Sequence, residues 1–228
     1  MSTLDAAIED VFGLVGTMFD HVDEQLADTV NALFTQDTQL ASRVRTTDRT
    51  VDALELEIDQ ACETILGGNH PEGAHLRRVI AAMRIIADLE RIGDLSKNVA
   101  KRVGLLNKSH LWRSETQILD MADTVRVIVR QAREAFAECD RLKARQVLAL
   151  DRRIDRAYRD IVDTIIRLCQ AHPQEAPALV HLVALSKAIE RIADHAKSIA
   201  RSIVYYIEGV DIRHPRRGPQ TRTPELIS

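Results

Sequence analysis

The chain has few of the residues that interrupt helices or favour sheets. Its 228 residues include nine glycines, six prolines and only 4% aromatic residues, whereas hydrophobic residues make up 45% and charged residues 29%. Sheets are usually richer in aromatic, threonine and turn residues, while long amphipathic helices are typical of this balance. The composition therefore predicts an all-α protein.

Cysteine is also scarce, and its three occurrences indicate neither a disulfide framework nor a zinc site. Cys62, Cys139 and Cys169 are odd in number and widely spaced along the chain, unlike the paired spacing of either kind of site. Reduced thiols of this kind suit a cytosolic protein. We expect them to act as small buried apolar residues.

A basic excess and a long apolar run are missing as well, and no signal peptide is expected. The formal net charge of −3 argues against a general nucleic-acid binder, which replaces phosphate counterions with lysine and arginine. No uncharged run reaches the roughly 18 apolar residues of a membrane span, and the first ten residues lack the basic start of a signal peptide. These features predict a soluble, cytoplasmic protein that meets a membrane only through a partner.

Apolar residues recur at the spacing of helices along most of the chain, and breaker clusters separate the segments. Gly67-Gly68-Asn69-His70-Pro71 and the segment 172–177 are the strongest breakers, and Ser114 is a possible N-terminal cap of the fourth helix. Six long helices are predicted, with approximate bounds 3–34, 36–66, 73–106, 114–136, 141–171 and 178–208.

The chain contains an internal repeat. The segment 89–94 reads Leu-Glu-Arg-Ile-Gly-Asp, and the segment 189–194 reads Ile-Glu-Arg-Ile-Ala-Asp, at an offset of 100 residues. Asp-Arg-Thr-Val-Asp at 48–52 similarly matches Asp-Arg-Arg-Ile-Asp at 151–155, at an offset of 103 residues. The sequence therefore predicts two tandem three-helix bundles.

The predicted organisation has three parts. Residues 1–109 form the first three-helix repeat, residues 110–209 form the second, and residues 210–228 form a disordered tail. The tail holds three of the six prolines and four arginines, and it has no helical periodicity. Its basic character could help it to meet an acidic partner.

Each repeated motif places two carboxylates four residues apart, on one face of a helix. Such like charges repel, and a hard cation with oxygen ligands, such as magnesium, calcium, manganese or iron, would relieve the repulsion. A single pair has little meaning in a chain with 34 acidic residues. The eight carboxylates of the four pairs are Asp48, Asp52, Glu90, Asp94, Asp151, Asp155, Glu190 and Asp194.

The positions of the turns give these pairs more meaning. In each half, the midpoint between the two motif centres falls at the predicted turn, at residue 71 in the first half and between 172 and 173 in the second. Residues equidistant from the turn of an antiparallel hairpin lie at the same height. We therefore predict one patch of four carboxylates on each hairpin, and a metal site at each patch.

Helical-wheel positions place these patches on the surface. Glu90 and Asp94 lie roughly opposite the apolar stripe of their helix, and the motif has no Glu-x-x-His, which buried di-iron bundles use. His195 is expected to be a satisfied surface histidine, with a peripheral metal ligand as the alternative. Arg91 and Arg191 are expected to form salt bridges to a neighbouring helix.

The two Glu-Arg-Ile-x-Asp motifs, about 100 residues apart in a chain of this length, resemble the PhoU family of phosphate-uptake regulators. The resemblance implies a cytoplasmic negative regulator of the phosphate-starvation response. Its partners would be the ATPase subunit of the phosphate ABC transporter and a sensor histidine kinase, and it would be a homodimer. The resemblance also implies multinuclear metal clusters at the same eight carboxylates, with iron, zinc, magnesium or manganese as the metal.

Two other functions are compatible with the residues. A metal-dependent hydrolase or redox enzyme could use the acidic patches, although the sequence has no nucleophile-base set and no glycine-rich phosphate loop. A purely structural helical scaffold could carry acidic pairs for solubility, although the hairpin positions count against it. An adaptor without enzymatic activity is the function that we expect.

Overall fold

The computed structural model describes residues 2–44, 49–106 and 111–213, which are helical almost throughout. Within these ranges no strand occurs, and the prediction of an all-α protein is confirmed. The helices are α1 (Thr3–Thr35), α2 (Thr38–Val44), α3 (Arg49–Asn69), α4 (Gly73–Leu106), α5 (Leu111–Glu115), α6 (Ile118–Ala137), α7 (Arg141–Ala171) and α8 (Ala176–Glu208), and a 3-10 turn at Pro173–Glu175 precedes α8.

Side chains and breaker residues determine several helix ends. Ser2 and Asp5 form a capping box at the start of α1, in which each side chain accepts a hydrogen bond from the other residue's backbone N–H. Asp140 caps α7 by accepting from the N–H groups of Leu142 and Lys143. Gly209 ends α8 in the left-handed conformation that glycine adopts without strain.

The predicted helix 36–66 falls on two helices, α2 and α3, and residues 45–48 between them lie outside the described ranges, as does the predicted loop 107–110. The fourth long helix begins at Ile118, so the prediction that Ser114 caps it was wrong. Ser114 lies in the short helix α5 instead. Trp112 of α5 is buried and donates from Nε1 to the carbonyl of Leu106, 3.2 Å away, so that α5 covers the end of α4.

The helices form two three-helix bundles that share one core. Helices α1, α3 and α4 contact one another in the first repeat, and α6, α7 and α8 do so in the second. Between the repeats, α4 packs against α8 and α1 packs against α6. The buried apolar residues form one continuous cluster that includes Ile92 and Ile192 of the repeated motifs, so each motif supports the interface between the repeats.

Helices α4 and α8 run antiparallel. The guanidinium of Arg84, early in α4, lies 4.9 Å from the ring centroid of Tyr205, late in α8. Farther along, Val99 of α4 lines the same small apolar space as Ile189 and Ile192 of α8. The segments around residues 92 and 192 therefore cross near the centre of the molecule, and their carboxylates point away toward α3 and α7.

The cysteines differ from the prediction that all three are buried. All are free thiols; Cys62 is buried, Cys169 is half-buried and Cys139 is exposed. Cys139 lies in the turn between α6 and α7 with φ of 50°, and its Sγ accepts a hydrogen bond from the Tyr206 hydroxyl at 3.6 Å. None of the helices in the described ranges has an apolar stretch sufficient to span a lipid bilayer.

Candidate functional site

The hairpins align the acidic motifs as the turn positions predict. In the second repeat, the Lys187 ammonium of α8 lies 5.0 Å from the ring centroid of Tyr158 on α7, and these two residues are equidistant from the turn. In the first repeat, Glu55 of α3 interacts electrostatically with Arg91 and Asp94 of α4. In both hairpins, therefore, the acidic segments of the two helices face each other at one height.

The first acidic patch is centred on Glu90 and Asp94. The protonated Glu90 carboxyl donates a hydrogen bond to Asp94, and burial, this hydrogen bond and the Asp94 charge raise the pKa of Glu90 to about 7. The pKa of Asp94 is lowered, with hydrogen bonds from Lys97 and Glu90 outweighing the effect of burial. Lys97 Nζ lies 2.6 Å from Asp94 Oδ1. Below about pH 7 the two carboxyls share one proton, at a position where a cation would be favourable.

Glu55 is a member of the first patch that the sequence analysis missed. Burial raises the pKa of its carboxyl, and the charges of Asp59, Asp52 and Asp94 raise it further. Glu55 follows Asp52 by three residues and so lies on the same face of α3. This spacing is visible in the sequence. The sequence alone does not show, however, that this face of α3 points toward the carboxylates of α4.

The second acidic patch contains a lysine, Lys187, that has no counterpart in the first. Lys187 Nζ lies 2.6 Å from Glu190 Oε2, and the hydrogen bond to Glu190, with the charges of Glu190 and Asp194, raises the pKa of Lys187. The carboxylate of Asp155, one turn before Tyr158 on α7, is half-buried, and Asp194 is exposed. The ammonium therefore neutralises part of the charge that a metal ion would otherwise bind.

The repeat offsets explain the difference between the two patches. Tyr158 aligns with Glu55 at the α7 offset of 103 residues, and Lys187 aligns with Ala87 at the α8 offset of 100 residues. Two aligned positions therefore carry glutamate and alanine in the first repeat, but tyrosine and lysine in the second. The first patch is more acidic by two charges, which makes it the better site for a multivalent cation.

The expectation of an open surface patch needs correction for the glutamates. The side chains of Glu90 and Glu190 are only 18% and 12% exposed, whereas that of Asp94 is 37% exposed. The two residues are about 40° apart around the helix, so their side chains can be covered to different extents. Each glutamate is therefore partly covered in the groove of its hairpin.

The basic residues beside the motifs also differ from expectation. Arg91 pairs within its own helix, with Nε 3.3 Å from Glu90 Oε2 and Nη1 3.6 Å from Asp94 Oδ2, so the predicted salt bridge to a neighbouring helix was wrong. His195 is a satisfied histidine, as expected, but it lies between the repeats. Its Nδ1 is 2.9 Å from Asp88 Oδ1 on α4.

The structure describes part of the predicted metal-ligand set. Asp48 and the side chain of Asp151 lie outside the described residues. Among the side chains that the structure describes, no three carboxylate, histidine or cysteine groups are arranged as a metal site. The metal sites therefore stay a prediction, which the shared proton at Glu90 and Asp94 favours in the first repeat.

Comparison with known proteins agrees with the repeat and the helical fold. The family model of the PhoU domain matches residues 15–103 and 118–203. A phosphate-specific transport system accessory protein PhoU homolog of Pseudomonas aeruginosa is 32% identical over 92% of this chain and 87% of its own length. The phosphate-specific transport system accessory protein PhoU of Escherichia coli is 30% identical over the same shares.

Solved structures give the same result. The crystal structure of PhoU from Pseudomonas aeruginosa matches with a TM-score of 0.85 and 30% identity, covering 91% of this chain and 100% of that one. The phosphate transport system regulatory protein PhoU from Streptococcus pneumoniae, 22% identical, shares the fold with a TM-score of 0.83, over 93% of this chain and 100% of its own. The two domain matches and the relatives that extend over nearly the whole chain establish that this protein belongs to the PhoU family.

Proposed function

We propose that this protein is an accessory regulator of a phosphate-specific transport system, and that it limits phosphate uptake and the phosphate-starvation response when phosphate is plentiful. The observation that supports this proposal is the similarity to accessory proteins of such systems over 92% of the chain. The protein would act in the cytoplasm as a homodimeric adaptor, in contact with the transporter's ATPase subunit and a sensor histidine kinase. Regulation by contact, without catalysis, agrees with the family better than a metal-dependent hydrolase or redox enzyme does.

A gene deletion tests the regulatory role. Loss of a negative regulator should raise alkaline phosphatase expression in phosphate-rich medium, and the intact gene supplied in trans should restore repression. Expression that stays repressed after deletion would contradict the proposal. Pull-down of the full-length protein with the ATPase subunit and with the kinase, analysed separately, would then identify the partner. Light scattering of the purified protein measures whether it is a dimer.

Metal ions are the second part of the proposal. In the first repeat Asp48, Asp52, Glu90 and Asp94 would hold the metal, and Glu55 adds negative charge beside them. In the second repeat Asp151, Asp155, Glu190 and Asp194 would do so, against the charge of Lys187. A bound divalent ion would neutralise the carboxylates and hold the two helices of a hairpin together. Iron, zinc, magnesium and manganese are all compatible with the carboxylate ligands.

Metal analysis of single variants tests the sites separately. Asp94→Ala should remove more metal than Asp194→Ala, because the first patch has no lysine at the position of Lys187. Lys187→Ala, which introduces the residue that the first repeat has at 87, should raise the metal content of the second site. Unchanged metal content in a combined Asp94→Ala and Asp194→Ala variant would rule out the proposed sites without affecting the regulatory proposal.

A further inference from the structure

An open groove with acidic and apolar walls lies beside the turn of the first hairpin. Its volume is about 600 Å³, and it is lined by Asp59, Glu63, Leu66 and Gly67 of α3 and by Met83 of α4. The Met83 side chain is 39% exposed although methionine is an apolar residue. The groove therefore combines negative charge with uncovered apolar surface.

The carboxylates of this groove carry charge that the neighbouring helices leave uncompensated. Within the described ranges, neither Asp59 nor Glu63 has an arginine, lysine or histidine within ion-pair distance. Burial raises the pKa of Glu55 and of Cys62, and the charge of Asp59 raises both further, to about 11 for the thiol. A positively charged occupant would be favoured here.

The described chain after α8 ends beside α4, one of the two helices that line this groove. After the left-handed turn at Gly209, Ile212 packs against the core, and Asp211 Oδ2 lies 3.9 Å from Arg84 Nη1 on α4. Arg84 directly follows Met83, so the two side chains lie about 100° apart around α4. The described chain thus ends at one edge of the outward face of α4, and the groove lies at the other edge.

The residues that come next have complementary charge and sufficient reach. Residues 214–222 include Arg216, Arg217 and Arg222 and no acidic residue. Arg216 and Arg217 follow Arg213 by three and four residues, which can extend about 10 to 14 Å. That distance is about the diameter of one helix with its side chains, roughly 10 Å. The arginines can therefore cross α4 and reach Asp59 and Glu63.

We propose that residues 214–222 dock in this groove of the same chain, with Arg216 and Arg217 paired with Asp59 and Glu63. A segment tethered this closely has an effective concentration on the order of millimolar, which favours it over a basic segment of another molecule. The docked segment covers Met83 and places positive charge beside the acidic face of α3. It thereby acts as a built-in competitor for any basic partner that approaches this face.

Photo-crosslinking of the full-length protein tests the proposal. Benzoylphenylalanine in place of Met83 should link to peptides from residues 214–222 of the same chain. The same group in place of Val180, which is 63% exposed at the start of α8, should give no such link. A mixture of isotopically light and heavy protein distinguishes links within one chain from links between two copies.

Charge reversal makes the test specific. Asp59→Lys with Glu63→Lys should reduce the Met83 link at least about five-fold, since two exposed ion pairs together contribute roughly that factor. Asp160→Lys with Asp163→Lys, on the exposed face of α7, makes the same change of charge elsewhere and should leave the link intact. A high salt concentration should weaken the link through screening.

Three results would overturn the proposal: a missing tail link, a link that the Asp59 and Glu63 reversal does not change, or a link only between isotopically different copies. The last result would assign the groove to the tail of a second copy. Thermal melts of each variant, compared with the unmodified protein, identify any variant that fails to fold. In that case Arg216→Glu with Arg217→Glu, which lies outside the helical core, provides the equivalent test.

Discussion

The proton shared by Glu90 and Asp94 predicts that replacing Glu90 with glutamine stabilises the metal-free protein at alkaline pH. Glutamine can donate the hydrogen bond to Asp94 that the protonated Glu90 carboxyl donates, but it cannot ionise. The unsubstituted protein must ionise a partly buried carboxyl next to Asp94 as the pH rises. Glu90→Gln removes that cost.

The direction of the change in stability, and the pH range in which it occurs, follow from the pKa of Glu90. Its pKa is about 7 in the folded protein, whereas the ordinary value for glutamate is 4.5. Below pH 4.5 both folded and unfolded chains hold the proton, so the free energy of unfolding is unaffected. Between pH 4.5 and 7 only the folded chain holds it, and stability is lost progressively as the pH rises. Above pH 7 the loss is complete.

The magnitude is limited by the size of the pKa difference. A difference of about 2.5 pH units corresponds to an upper limit of roughly 3 kcal/mol. Because the Asp94 side chain is 37% exposed, solvent screening weakens its interaction with Glu90, and we expect a gain of about 2 kcal/mol for Glu90→Gln above pH 7. For a chain of this size that corresponds to about 4 to 8 °C in melting temperature.

Denaturation in a chelator-containing buffer at pH 5 and at pH 8 measures the effect. Glu190→Gln is the matched control, because Glu190 is similarly covered but lies 2.6 Å from Lys187. That substitution removes an ion pair and should cost about 0.2 to 1 kcal/mol. If Glu90→Gln gave no greater advantage at pH 8 than at pH 5, the assignment of a shared proton would be refuted.

Three further predictions concern the core, the thiols and the first helix cap. Ile192→Ala, at a fully buried position between the repeats, should lower the free energy of unfolding by about 2 to 5 kcal/mol in urea titrations; a loss below 1 kcal/mol would contradict this packing. Cys139 should react with a thiol reagent well before Cys62, because Cys139 is exposed and burial raises the pKa of the Cys62 thiol to about 11; peptide mass mapping at pH 8 measures the order, and equal rates would refute it. Ser2→Ala should cost about 1 kcal/mol through loss of the cap of α1, and an unchanged melting temperature would show that the capping box is dispensable.

Much of the fold could be predicted from local patterns. Helical periodicity and the breakers at residues 67–71 and 172–177 indicate α4, α7, α8 and the end of α3 to within a few residues, because these signals act between neighbours in the chain. The short helix α5 escaped prediction. The helix α5 depends on a tertiary contact, because Trp112 is buried against the end of α4. No local pattern in the sequence indicates that contact.

Some features of the candidate site likewise follow from the sequence, and others follow only from the tertiary structure. The sequence by itself determined the repeat, the four carboxylate pairs and their common height on each hairpin, since equal distance from a turn is a property of the chain. Only the tertiary structure decided that Glu55 joins the first patch and that Lys187 occupies the second. The physical reason is that the rotation of each helix about its axis, which directs these side chains, depends on how α4 and α8 pack across both repeats.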